Sequence, residues 1–203
     1  MSTTGKGSVG TPTRLRSFDP VRLAGLEYQA WVGYYLRRWP QVLIASVGLV
    51  RAGFGMDWYR TLHGAWLVMR ANQLWAPYPD NHPKQARACM RRFYALVRLT
   101  YGEPANPAKA AELEVEWWRA HREIQHEPGA TPDELIESLV RLYSYLYGEP
   151  EEAVRPAAVH RATAMGLSDQ WVADGCQPDS QLLPLEHAAL IRAYAALLAA
   201  VHH

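Results

Sequence analysis

The chain has 203 residues, of which 49% are hydrophobic and 20% charged, with a net charge of +1. That balance suits one large globular domain or two small ones and excludes a chain too polar to bury a core. Its two cysteines, Cys89 and Cys176, exclude a disulfide framework and a C-x-x-C metal pair, and they fit the reducing cytoplasm, which is the expected location.

The first stretch, MSTTGKGSVGTPTRLRS (1–17), is small, polar and lacks the apolar centre of a signal peptide, so it is expected to be a flexible arm ahead of a helical domain over 18–203. Asp19-Pro20 is an N-cap followed by proline at the first helical position, and it opens a helix to about Trp39. Pro40 starts a second helix to about Gly53. It holds the longest apolar run, VLIASVGLV (42–50), half the ~18 residues that span a bilayer. Asp57 caps a third helix to Trp75. This helix is apolar nearly all round and is expected to sit centrally, with His63 and Arg70 on its one polar strip. APYPDNHP (76–83) reads as a loop, and Pro83 starts a fourth helix to Tyr101.

GEPANP is a stop–start signal before a fifth helix, opened by Pro107 and ended by EPGATP. Thr131 with Glu134 three residues on reads as a capping box for a sixth helix to Tyr147. A seventh runs from about Glu151 to Asp174, with Pro156 as a candidate break, and an eighth covers 185–201. No strand pattern is present. The fold class is therefore all-α: a single-domain irregular bundle of seven to eight helices. The tetrapeptide YGEP occurs at 101–104 and at 147–150, each time after LVRL. The unequal offsets favour glycine as stop and proline as start over a true repeat.

The fifth helix carries EVEWWRAHREIQHE (114–127). At ~100° per residue, Leu113, Trp117, Ala120 and Ile124 define its buried stripe. Glu123 and His126, an E-x-x-H pair, point away from that stripe. Glu116, Arg119 and Glu123 read as a salt-bridged outer face. Glu114 and His121 lie two turns apart at the edge of the core, beside Trp118. E-x6-H on one helix resembles the start of the ligand set of haem-oxygenase-like di-iron proteins. That resemblance implies a later glutamate and an H-x3-D-x2-H cluster, and this chain has no such cluster. On the first helix Glu27 falls inside an apolar arc, so it must be paired, protonated or a ligand.

Two functional expectations follow. Residues 1–100 hold 14 Lys+Arg against 4 Asp+Glu, whereas residues 101–203 hold 7 against 16. The basic, Arg/Trp/Tyr-rich first half suits a binding protein for an anionic ligand or partner, with Arg37, Arg38, Arg91 and Arg92 as contacts. The partner would be an acidic protein surface, a second copy of the chain or a small anion. A membrane surface also fits; a transmembrane span does not, and no nucleic-acid motif accompanies the arginines. Glu27, His63, Arg70 and Trp118 are the candidate ligand-binding residues. The alternative is a metal-dependent oxidoreductase, with non-haem iron or manganese on Glu27, Glu114 and His121. The sequence names no cofactor and leaves open whether the protein is an enzyme.

Overall fold

A computed structural model describes residues 14–127 and 129–202. It contains a short 3-10 turn at Arg14–Arg16 and eight α-helices: α1 Pro20–Tyr35, α2 Trp39–Phe54, α3 Trp58–Trp75, α4 Pro83–Tyr101, α5 Pro107–His126, α6 Pro132–Tyr147, α7 Glu151–Ala173 and α8 Leu182–Val201. No strand occurs among the described residues. The expected all-helical fold is the observed one.

Proline and glycine set the element boundaries. Proline occupies the first turn of α1, α2, α4, α5 and α6, where its missing N–H has no helical partner to lose. Asp19, Asp57 and Asn106 accept backbone N–H groups at the starts of α1, α3 and α5. Gly55, Gly102 and Gly148 take left-handed φ values of 56°, 77° and 69° to end α2, α4 and α6. Three local expectations need correction. α1 stops at Tyr35 rather than Trp39, because Arg37 itself adopts φ 56° and turns the chain. Thr131 does not cap α6 with its side chain; its hydroxyl donates to Asp133 at 3.4 Å. Pro156 does not break α7, since it lies near the helix start on the solvent side and removes one bond only.

Each helix packs against the ones before and after it in the chain, and α8 returns to pack against α1. The connections are three to eight residues long, so neighbours run antiparallel. The result is a closed ring of eight helices. Such a ring leaves a wide interior that helix–helix contact alone does not fill. Large aromatic side chains fill much of it: four of the eight tryptophans and six of the eleven tyrosines face the inner space. This explains the unusual aromatic composition. α3 is not central, as its composition suggested. It is one stave of the ring, and Trp58, Leu62 and Trp66 are exposed on its outer side. α8 is long and apolar enough to cross a membrane, but here it closes the ring between α7 and α1.

The two YGEP copies converge. Glu103 and Glu149 both bind Arg16, at 3.3 and 2.9 Å, and Arg16 also donates to the Tyr147 carbonyl at 2.6 Å. Leu15 and Phe18 are buried. Residues 14–17 thus belong to the folded body, not to an arm ending at 17. The rest of the expected arm, 1–13, lies outside the described residues.

Candidate functional site

The ring encloses a cavity of about 300 Å³ lined by residues of all eight helices, with Phe18 in its wall. This is the small end of the range for ligand pockets, roughly 300–1,000 Å³. The α2 and α3 side is mostly apolar, with Val42, Leu49, Val50 and Val68. The opposite side, built by α1, α5, α6, α7 and α8, carries the polar groups.

α5 turns Glu114, Trp117, Trp118, His121, Arg122 and Gln125 into the cavity. The wheel placed the buried stripe on Leu113, Trp117 and Ala120. Those residues are buried, but so are Ala111, Val115 and Trp118. A stave of a closed ring is covered on both flanks and also faces inward, so its buried arc is wider than the single stripe of a surface helix. Glu114 and His121 therefore face the cavity rather than the edge of a core.

Glu27 of α1 is 4% exposed and forms an ion pair with Arg161 of α7. Arg161 also donates to the Tyr143 hydroxyl at 2.9 Å and lies over the Trp117 ring, 5.1 Å from its centroid. Burial opposes the Arg161 charge; Glu27, with Tyr143 and Tyr194, outweighs it and holds the guanidinium firmly protonated. Glu114 accepts a 2.6 Å hydrogen bond from the Tyr94 hydroxyl. Burial pushes its carboxyl up, while Tyr94, Arg161 and the Trp117 and Trp118 indoles hold it back. Burial also pushes the Tyr94 and Tyr194 hydroxyls well up, with a further push from Glu114 and Glu27 respectively.

Three buried atoms of this cluster have no hydrogen bond: Glu27 Oε2, Arg161 Nε and Trp117 Nε1. Trp117 Nε1 lies near Glu114, and Tyr194 near Glu27, without completing a bond to these atoms. A second polar cluster occupies another part of the wall. His121 Nε2 meets Asp169 Oδ2 at 2.9 Å, and Asp169 Oδ1 accepts from Gln125 at 2.7 Å and from the Tyr35 hydroxyl at 3.2 Å. Arg122 reaches the Tyr34 hydroxyl at 3.3 Å and stacks over Trp75 and Tyr78.

Glu186 of α8 lies apart from the cavity lining. It is 1% exposed, neither carboxylate oxygen has a hydrogen bond, and burial pushes its pKa up to about 7. The Ser168 hydroxyl is near enough to oppose this shift, although it too lacks a well-formed bond.

The candidate residues divide sharply. Glu27, Glu114, His121 and Trp118 line one cavity. His63 and Arg70 do not: His63 packs edge-on to Tyr59 at 6.2 Å, and Arg70 is exposed and bonded to Gln73 at 3.2 Å. Arg37, Arg38, Arg91 and Arg92 are all exposed. Arg37 is spent on the Ala76 carbonyl and on Tyr34 and Trp39. Glu27, Glu114 and His121 do not form one ligand set, because each is committed to a different partner. No group of three or more His, Cys, Asp or Glu side chains suited to a metal gathers among the described residues. The E-x-x-H pair is on the outside: Glu123 pairs with Arg119, and His126 stacks on Tyr78 at 3.9 Å.

Arg161, Asp169 and Glu186 escaped the sequence reading. Arg161 and Glu186 do carry a signal. Each is a charge in a segment rich in small or apolar residues, as in AVHRATA and LLPLEHAAL. That is the pattern by which Glu27 was found.

No protein-family model, no curated protein and no solved structure matches this chain.

Proposed function

We propose that the protein binds a small, mainly aromatic or apolar molecule in the ring cavity, gripping one polar end of it with Glu27, Arg161 and Trp117. One observation carries this reading. Buried polar atoms are nearly always paired, yet three residues that line the same cavity each hold a buried acceptor or donor with no well-formed hydrogen bond. The ion pair leaves one carboxylate oxygen and one guanidinium N–H unused, and Trp117 adds an indole N–H. A ligand head that both donates and accepts, such as a hydroxyl or an amide, matches that set. The Trp31, Trp75 and Trp118 rings and the Val and Leu side chains of α2 and α3 suit a flat apolar body.

Calorimetric titration with naphthalene and 2-naphthol tests this, since the two share a body and differ by one hydroxyl. The hydroxylated compound should bind about tenfold tighter, the worth of one good hydrogen bond to a charged group. Trp117→Phe should shrink that gap while leaving naphthalene binding in place. Absence of saturable binding by both compounds would remove the reading.

A further inference from the structure

We propose that the outer face of α3, with Arg70 at its end and Arg92 of α4 beside it, docks the protein on an anionic lipid bilayer. The inference stands apart from the cavity and does not depend on what the cavity holds.

The face is built at helical spacing. Trp58, Leu62 and Trp66 follow one another every four residues, with Tyr59 beside them, and they are 61%, 55%, 53% and 78% exposed in the order Trp58, Leu62, Trp66, Tyr59. From Trp58 to Trp66 the stripe runs about 12 Å along the helix. Ile44 on α2 and Leu99 on α4, the helices that flank α3, are 72% and 73% exposed. Large apolar side chains on show in this number mark a contact surface rather than ordinary scatter.

Positive charge borders the stripe, with Arg51 and Arg60 at its start, Arg70 one turn beyond Trp66 and Arg92 across the seam with α4. From Trp39 to Tyr101 the chain carries eight Arg and Lys residues against two acids, Asp57 and Asp80. Arg60 pairs with Asp57 at 2.8 Å. Arg51 is stacked over Trp58, 4.8 Å from the ring centroid. Arg70 and Arg92 are exposed and have no carboxylate partner among the described residues, whereas Arg87, Arg91 and Arg98 lie on the side of α4 that carries Tyr94 and faces α5. The two helices share one surface at their seam. Burial raises the Cys89 thiol there, and the charges of Arg70 on α3 and Arg92 on α4 both act to lower it.

A bilayer matches this combination better than the other anions. Trp and Tyr favour the headgroup region, Leu and Ile enter just beneath it, and arginines around them reach lipid phosphates. The apolar side chains stand outward from a helix instead of lining a groove that would receive a strand or a peptide. A second copy of the chain would meet the stripe with an acidic half in which Glu112, Glu116, Glu123, Glu134 and Glu137 are already paired while Glu127, Glu151, Glu152, Asp174 and Asp179 stay exposed. A lipid-free dimer is therefore an outcome of the test.

Sedimentation of the full chain with vesicles tests the proposal. It should pellet with phosphatidylcholine vesicles containing phosphatidylserine and not with phosphatidylcholine alone, and salt should release it. Arg70→Glu with Arg92→Glu should weaken binding by about thirtyfold or more, two arginines' worth of attraction to an anionic surface. Brominated lipid should quench the tryptophan fluorescence of the bound protein, and Trp58→Phe with Trp66→Phe should abolish that quenching. Circular dichroism checks that each variant is folded. The wild-type readings stand whatever the variants do. Failure to pellet at low salt, or quenching unchanged in the phenylalanine variant, overturns the proposal. So does a lipid-free dimer at sedimentation equilibrium that Trp58→Ala with Trp66→Ala dissociates, or binding to single-stranded DNA without binding to vesicles.

Discussion

α2–α4 and α5–α7 use charge in opposite ways. The first group keeps its inner wall largely apolar and sets unpaired arginines and aromatic rings on its outer face. The second pairs many of its outer charges with one another and sends further ones inward: Glu114, Arg122 and Arg161 line the cavity. An outer charge in water costs little and gains little. An inner charge must be satisfied, so its neighbours are constrained. The difference teaches where function can reside in such a ring. A charge that is free on the outside is available to a partner, and a charge that is incompletely satisfied on the inside is available to a ligand.

The largest break in this contrast should come from the inner pair. Arg161→Met leaves Glu27 buried without its cation and should destabilise the fold by about 3–5 kcal/mol in urea unfolding. Glu27→Leu combined with Arg161→Met should restore much of that loss, because no lone charge remains. A single-mutant loss under about 1 kcal/mol would place the pair with ordinary surface pairs.

Glu186 should give the next effect, as a dependence on pH. Its carboxyl titrates near 4.5 when unfolded and near 7 when folded. Below 4.5 both states are protonated, and the stabilising contribution is complete. As pH rises through the window from 4.5 to about 7, the unfolded state ionises first and the contribution is lost. The loss is about 3 kcal/mol by pH 8, counting ~1.4 kcal/mol per unit. Glu186→Gln should flatten the stability profile across this window, as read by denaturation at a series of pH values.

The outer surfaces should respond least. Arg119, half-exposed, links Glu116 and Glu123, so Arg119→Ala should cost at most about 1 kcal/mol, less in high salt. Arg91→Ala with Arg92→Ala should leave stability within about 0.5 kcal/mol of the wild type, since both are exposed and neither has a hydrogen-bond or ion-pair partner among the described residues. A large loss there would mean that these arginines hold the fold together.

Much of the fold was legible because helix ends depend on neighbours in sequence. Asp19-Pro20, Asn106-Pro107, Gly102 and Gly148 act on their own backbone, so local reading finds them. Closure of the ring was not legible. It depends on α8 meeting α1, more than 140 residues away in the chain, and no local pattern encodes that contact. The same gap explains α3. Trp58, Leu62 and Trp66 read as core when burial is inferred from side-chain type, and only the ring shows that no helix among the described residues covers their face. In the site, Glu27 was legible as a charge in an apolar arc. Its partner Arg161 lies 134 residues away, beyond the reach of any spacing rule.

The meeting of α8 with α1 also fixes the geography of the chain ends. His202 Nδ1 approaches the Arg16 carbonyl oxygen at 2.9 Å, so the first and last described segments touch. The order of helices is then cyclic, and no stave is first. A gene rearranged to begin at Ala130, in the exposed α5–α6 connection, with His202 joined to Arg14 by a short linker, would encode the same set of neighbours.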